Sequence, residues 1–553
     1  MEKNKSVLRF LYNNCVSQKG LALIATLIFV LVLTTLGIVI LTMTRNDIKL
    51  ASLQEESTKA FFLADAGIER ALNWLENQQP PPSAEDLPPD KLDGSHPFTE
   101  LGTGEYRVEI EIHKIGEIEA GYNITSTGYI PNSENKKTVK KLKALVSLMN
   151  FAQYAYFSDI ETFPNNSAIP LSSSYAGDAI WFTGNDTFGG RVHSNSQLHI
   201  VDVPDFYGKV TSTTETIDFY NKNYRPDGSD FPTDGRGFMG EYQLGVDRID
   251  LPLYRNISDL DDKDSLQRIT GGSWKKNDFP SSSGIYIPSI TIGTVKNATG
   301  GIYIKGNVNS INLDVDSNSN SRISITPQSG SATEIISVTE PFNIPSGSTL
   351  NGKKVAGQQL IPANTTLTKE PGKNVYTSYE GLPNGVLYVD GAINGLKGSN
   401  HKGKMTVVST QSITISDSIY YNGRDKKKAL FDDDIEGIDD SLGLIAVKDV
   451  KIASSAPNNI EIDAIIMALN TSFFYEGWNS NLKGNLGLLG GLIQKQRGPV
   501  GQHSAGKKTK GYSKEYYFDI RMASPASGYL PPYFPTTGKY EKIWWKEDLS
   551  IDN

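Results

Sequence analysis

The densest run of ligand-competent side chains in this 553-residue chain lies near its C-terminal end: Lys507, Lys508, Lys510, Tyr512, Lys514, Tyr516, Tyr517 and Arg521. Interleaved cations and rings are what a groove for single-stranded DNA uses, the cations neutralising phosphates and the rings stacking on bases. A β-strand that shows lysines to solvent gives the same string without a ligand, and a net charge of −8 favours that reading. Calcium chemistry has three candidate clusters: Asp259, Asp261, Asp262 and Asp264; Asp314, Asp316, Asn318 and Asn320; and Asp432, Asp433, Asp434 and Glu436, followed by Asp439 and Asp440. Calcium gathers about six to eight oxygens, so clustered carboxylates and amides are the residue types it needs. The middle cluster starts like a calcium loop but has Ser319 in the glycine place and Ile325 in place of the closing glutamate. The third carries the most charge and is the best calcium candidate. A solvated loop explains all three.

Other motifs fall short of their chemistry. The spacings Gly398, Gly403, Lys404 and Gly501, Gly506, Lys507 resemble phosphate loops, but Met405 and Lys508 stand where a Ser or Thr must bind magnesium. Both are read as turns. His193 and His199 match no common metal spacing and are expected to be loop and strand histidines bonded to backbone. Cys15 is the only cysteine, and it lies in a basic N-terminal leader, so disulfides and thiolate metal sites are excluded from the rest. No convergent acid pair of the glycosidase kind is identifiable, which points to contact rather than catalysis. No cofactor other than calcium is expected.

The elements that would carry these groups begin with an uncharged stretch, Leu21 to Thr44, behind a leader containing Lys3, Lys5, Arg9 and Lys19. At 1.5 Å rise it makes a helix of about 36 Å, long enough to cross a bilayer. The basic leader keeps the N-terminus cytoplasmic by the positive-inside rule. A cleaved secretory signal would be shorter, and a plain signal anchor remains open. From Arg45 the residues Ile48, Ala51, Glu55, Thr58, Phe62, Asp65, Ile68, Leu72 and Leu75 recur at near-helical spacing until Pro80, Pro81 and Pro82. One helix over 21–78 is therefore expected, with its packed face from Ala51 to Leu75.

Gly20 sits at the junction of leader and apolar helix. On that junction, and on QKGLALIATLIFVLVLTTLGIVIL and RNDIKLASLQEESTKAFFLADAGIERAL, the chain resembles the PilX-type N-terminal region of type IV minor pilins and, more distantly, K-type tip pseudopilins. The resemblance implies cutting by a prepilin peptidase between Gly20 and Leu21, and association with other pilin subunits. Major pilins have Glu at the fifth mature position. Here that position is Ala25, a departure shared with tip pseudopilins and one that implies a terminal place in the filament.

Three alternating segments follow, Tyr106 to Ile115, Tyr122 to Ile130 and Thr138 to Leu148; in the first, Val108, Ile110 and Ile112 share one face. A helix with an antiparallel meander is a minimal pilin head, assigned to 79–149. From 150 to 553 the chain turns rich in Gly, Ser, Asn and Thr, with repeats starting at Gly301, Gly385 and Gly443 and a partial copy at Gly284. Such repeats predict a large all-β domain, either a β-solenoid of stacked coils or a β-sandwich. The blocks Phe151 to Asp159, Ile180 to Ile200, 487–501 and 531–545 resemble a domain of unassigned function that follows PilX-type helices. The whole is also similar to large minor pilins of natural-transformation pili, which carry a solenoid on the head.

The reading is an α+β chain: leader 1–20, transmembrane half-helix 21–44, amphipathic half-helix 45–78, head 79–149, β-rich domain 150–553. The expected function is that of a non-enzymatic minor pilin, membrane-held and then on the pilus or cell surface, in assembly and surface contact. DNA capture, glycan adhesion and a pilin-anchored carbohydrate-active enzyme remain open.

Overall fold

The computed structural model describes residues 3–78, 82, 87, 99–115, 118–131, 137–163, 177–184, 186–201, 203–220, 237–253, 257–259, 262, 265–271, 281–424, 435–504, 507–524 and 528–549. It divides into two compact units, Met1–Val146 with Lys542–Asn553, and Ser147–Glu541.

The first unit is built on helix α1 (Lys3–Glu76), which runs through Gly20 without a break. It ends two residues before the expected Gln78: the Asn77 and Gln78 amides donate to the Trp74 and Leu75 carbonyls at 3.1 and 3.0 Å, tightening the last turn. Its buried face is Ala60, Leu63, Ala64, Ile68, Ala71 and Leu75. Phe62, placed on that face by the sequence, is 62% exposed. Small residues set the face instead. A Cβ on Gly128 would lie 2.1 Å from the Ala60 carbonyl oxygen, so the sheet approaches where the helix has alanine, not where it has its largest side chains.

That sheet has the order β1 (Thr99–Leu101), β2 (Gly104–Ile115), β3 (Ile118–Pro131), β4 (Lys137–Asn150), then the C-terminal strand Thr536–Glu547. The first four pair antiparallel, with Ile110 opposite Ile124 and Tyr122 opposite Val146. The three strands expected here are present. The head does not end at 149, however, because Lys542–Asn553 belongs to this unit. Trp545 meets Phe61 edge-on at 5.5 Å, the Asp548 carboxylate pairs with Lys143 at 2.9 Å, and its amide donates to the Lys141 carbonyl at 2.8 Å. The large unit is thus inserted between two neighbouring strands of the small one. An alternating strand such as 536–547 carries no local mark of the sheet it joins.

The second unit contains β5 (Tyr154–Ile160), β6 (Arg191–Ser194), β7 (Val210–Ser212) and β8 (Tyr242–Leu244). Next come paired strands: β9 (Ile302–Lys305) and β10 (Val308–Val315), β11 (Val386–Asp390) and β12 (Ile393–His401), β13 (Lys404–Ser409) and β14 (Ile413–Tyr421), β15 (Ser441–Ala446) and β16 (Val450–Ile452), β17 (Ile460–Ala468) and β18 (Phe473–Tyr475). β19 (Leu482–Gln496) and β20 (Lys507–Tyr517) follow. One parallel ladder runs β8-β7-β6-β5-β19-β17-β15-β13-β11-β9. A second runs β10-β12-β14-β16-β18.

Register aligns like with like. Ile302, Leu387, Val407, Leu444, Ile466, Leu492, Tyr156, Val192 and Val210 are successive partners along the first ladder, each at most 2% exposed. Val308, Ile393, Ile413, Val450 and Phe473 form the matching column of the second. Each strand therefore covers the apolar row of the next, and the core is continuous.

Stack order differs from chain order. The chain starts mid-stack at β5, runs out to β8, resumes at the opposite end with β9, and returns until β19 docks between β17 and β5. Two glycines permit that docking: a Cβ at Gly490 would lie 2.1 Å from the Ala464 carbonyl oxygen, and one at Gly491 2.3 Å from that of Tyr154. The repeats at Gly301, Gly385 and Gly443 lead into β9 and β10, β11 and β12, and β15 and β16. The partial copy from Gly284 is no further copy of them, since Gly284–Tyr286 pairs antiparallel with β9 and Ser289–Ile292 forms a hairpin with Val295–Ala298. An antiparallel excursion over 321–380 has a small core of its own, including Ile336, Leu367 and Tyr376.

Candidate functional site

The apolar arm of α1 is the most unusual surface of the first unit. Leu21, Leu27, Phe29, Leu31, Leu36, Ile38 and Leu41 are all more than half exposed, and nothing charged interrupts them. Its polar groups are satisfied within the helix. The Thr34 hydroxyl donates to the Val30 carbonyl at 2.9 Å, Thr42 to Ile38 at 3.0 Å and Thr44 to Ile40 at 2.9 Å. An all-apolar cylinder with no unmet donors is what hydrocarbon requires, and it is long enough to span a bilayer. Gly20 lies within the helix, and Leu21 and Ala25 lie on the exposed arm.

In the second unit, several charged side chains are buried in pairs. Arg497 and Glu161, 6% and 0% exposed, pair at 2.9 Å. Tyr156 donates to the same carboxylate at 2.7 Å, and the Arg497 guanidinium lies 4.0 Å from the Phe182 ring centroid. Asp186 pairs with Lys514 at 2.6 Å. Burial alone would raise Asp186, but Lys514 and Arg497 pull it below the usual carboxylate range; burial holds Lys514 below the usual lysine range. A second site joins Arg424, with no exposed side-chain surface, to Asp463 at 2.5 Å and Glu461 at 2.8 Å. Nearby, His401 Nε2 lies 3.2 Å from the Ser441 carbonyl, and burial pushes this histidine down to about 4. These groups hold strands together. Apart from Lys514, sequence reasoning missed them; the only signal for Arg497 is its place four residues after the apolar run 486–493.

The Lys507 to Arg521 string is distributed rather than gathered. Lys508 donates to the Gly484 carbonyl at 2.8 Å, Lys514 is paired with Asp186, and Arg521 pairs with Asp519 at 2.6 Å. Tyr512 is buried, its hydroxyl donating to the Pro457 carbonyl at 2.5 Å, while Tyr516 and Tyr517 are half-buried. Lys510 is exposed. Lys507 begins β20. Alternation was read as cations outward, whereas Lys514 shares its strand face with Tyr512 and Tyr516.

Asp432, Asp433 and Asp434 lie outside the described residues, as do Asp261 and Asp264; Glu436 is exposed. Asp314 is held by Arg322 at 2.8 Å, and Asp316 accepts the Asn318 and Asn320 amides at 2.8 and 2.9 Å, closing a turn on itself. Among the described residues no group of three or more His, Cys, Asp or Glu is arranged to hold a metal. Both phosphate-loop spacings fall on β-structure: Gly398 lies in β12, with Lys404 opening β13, and Gly501 pairs with Gly511 in the hairpin onto β20. The histidines bond to side chains, not backbone. His193 meets Thr211 at 2.8 Å and Asn195 at 3.0 Å, and His199 meets Asp218 at 2.9 Å.

Residues 19–69, the apolar arm and the start of the packed helix, match a family model described as PilX N-terminal. The N-terminal segment is that of a PilX-type pilin. Such a segment implies association with other pilus subunits. Residues 118–214, from the start of β3 to just beyond β7, match a model described as a domain of unknown function (DUF4900). The blocks at 487–501 and 531–545, read above as part of the same resemblance, lie outside both matches. No curated protein and no solved structure matches the chain.

Proposed function

We propose that this protein is a type IV minor pilin whose PilX-type helix anchors it in the membrane and then packs among other pilin helices, with the large β-rich unit displayed for surface contact. The observation that carries this is the coincidence of the PilX-type match with a helix whose apolar arm has no partner among the described residues. The parallel ladders, with aligned apolar columns, support a β-solenoid for the displayed unit. Function by contact is supported by charges that are spent on internal pairs, as Arg497, Lys514 and Arg424 are. Processing between Gly20 and Leu21 by a prepilin peptidase, with the N-terminus cytoplasmic beforehand, follows from the leader. Ala25, in place of a glutamate, suits a subunit at the filament end, where no further subunit amine needs a partner inside lipid.

N-terminal sequencing in cells that have a prepilin peptidase tests the reading. Leu21 as first residue, abolished by Gly20→Asp, is the expected result. A retained Met1 or a cut after Thr44 overturns the pilin assignment. Immunogold labelling restricted to filament ends is expected; labelling along the shaft removes the tip role alone.

A further inference from the structure

Paired strands of the second unit pass from the first ladder to the second through turns of unequal length. Those after β9 and β11 have two residues each (306–307 and 391–392), and those after β13 and β15 have three (410–412 and 447–449). All four turns line one open groove of about 530 Å³.

Its polar side chains fall into two sets. The first is engaged in holding the walls: Asn307 accepts the Ala392 amide at 2.9 Å and donates to Gln328 at 3.0 Å, and Lys451 pairs with Glu476 at 2.9 Å. Asp390 accepts from Thr410 at 3.3 Å and from Tyr303 at 3.4 Å. The second set, Asn394, Gln411 and Lys448, is exposed, and these side chains have no partner among the described residues. Each carboxamide offers two donors and an acceptor, the complement of a hydroxyl group that both gives and takes hydrogen bonds. Charge in the groove nearly cancels: Asp390 and Lys448 both line it, while Glu476 occupies Lys451. No aromatic side chain lines the groove, so bases would find no stacking platform. One free ammonium is too little to hold a run of phosphates.

We propose that this groove binds a neutral, linear polysaccharide lying across successive turns. Coils spaced by about 4.8 Å present their turns at a regular interval, so consecutive sugars each meet the turn of one coil. The proposal rests on the surface-contact reading above for its biological setting and names the partner class of that contact.

The test uses the full chain in polyoxyethylene detergent micelles, because alkyl-glycoside detergents would compete for the groove. Cellohexaose and chitohexaose are the neutral probes, a galacturonate hexamer and oligothymidylate the anionic ones, each followed by titration calorimetry. At least one neutral hexasaccharide is expected to bind independently of salt. The double variant Asn394→Ala/Gln411→Ala, altered only at exposed positions, should weaken that binding about tenfold with an unchanged circular dichroism spectrum. Lys510→Ala should leave it as it is. Absence of binding to both neutral probes, binding undiminished in the double variant, or binding of the anionic probes alone with steep salt dependence overturns the proposal. Normal processing at Gly20 alongside any of those results leaves the pilin assignment standing, whereas a retained Met1 with intact groove binding removes that assignment and keeps the groove.

Discussion

The apolar arm and the β-rich unit use the same residue types in opposite ways. Leu27, Leu31, Leu36 and Leu41 of the arm are 53% to 71% exposed, while Leu387, Leu444 and Leu492 of the first ladder are at most 2% exposed. The arm completes its backbone bonding internally and leaves its side chains unmatched. The β-rich unit buries its side chains by stacking each strand on the next. An element of the first kind is stable only in a foreign apolar medium, membrane or neighbouring helices; one of the second kind carries its own. The proposed function divides along the same line, with assembly assigned to the arm and contact to the stack.

This contrast can be broken first at Arg497→Met. The substitution leaves Glu161 buried without its cation and should cost the β-rich unit about 3–5 kcal/mol in denaturant unfolding. Membrane insertion should be unchanged, and a variant that also left the membrane fraction would show that the two regions are coupled. Val32→Asp probes the other side. A carboxylate near the centre of the arm should disfavour insertion by about 3 kcal/mol, read as loss of protein from the membrane fraction, while the unfolding midpoint of the β-rich unit stays put.

A pH effect of similar size is confined to the stack. His401, lowered to about 4 by burial, binds fewer protons folded than unfolded between that value and about 6.5. Its stabilising contribution is therefore present above 6.5 and is lost as pH falls toward 4, amounting to about 2 kcal/mol near pH 5. The difference in pH slope between wild type and His401→Gln isolates it, and equal slopes would remove the claim. The smallest effect expected is that of Lys510→Ala, within about 0.5 kcal/mol, because the residue is exposed. A larger loss would mean that the basic string supports the fold in a way its bonds do not reveal.

How far each region could be read from its residues follows from the same physics. Hydrocarbon imposes an unbroken local rule, so Leu21 to Thr44 declares itself, and alternation declares Val108, Ile110 and their partners. The packed face of α1 was misread because pattern rules weight large side chains, and here Ala60, Ala64 and Gly128 decide the approach. Glycine-led repeats exposed three of the paired-strand turns of the stack. The pair β13 and β14 escaped because lysine follows Gly403 where the other repeats have an apolar residue, the pair β17 and β18 because no glycine leads it, and the return of 536–547 to the first unit is non-local altogether. The groove was invisible for a related reason: Asn307, Asn394, Gln411 and Lys448 are unremarkable one by one and meet only when distant turns are stacked.

The docking of β19 between β17 and β5 has a consequence for the time course of synthesis. The edge of β5 that β19 will occupy is made more than 300 residues earlier, counting from Ile160 to Leu482. At about 5–20 residues per second, that edge exists for tens of seconds before its partner does. During that interval β5 to β8 lack their partner on the β5 side, while Phe182, Phe188 and Phe206 belong to the core that β19 later extends. A chain stopped before 482 would keep that side open permanently, a template for pairing with other strands.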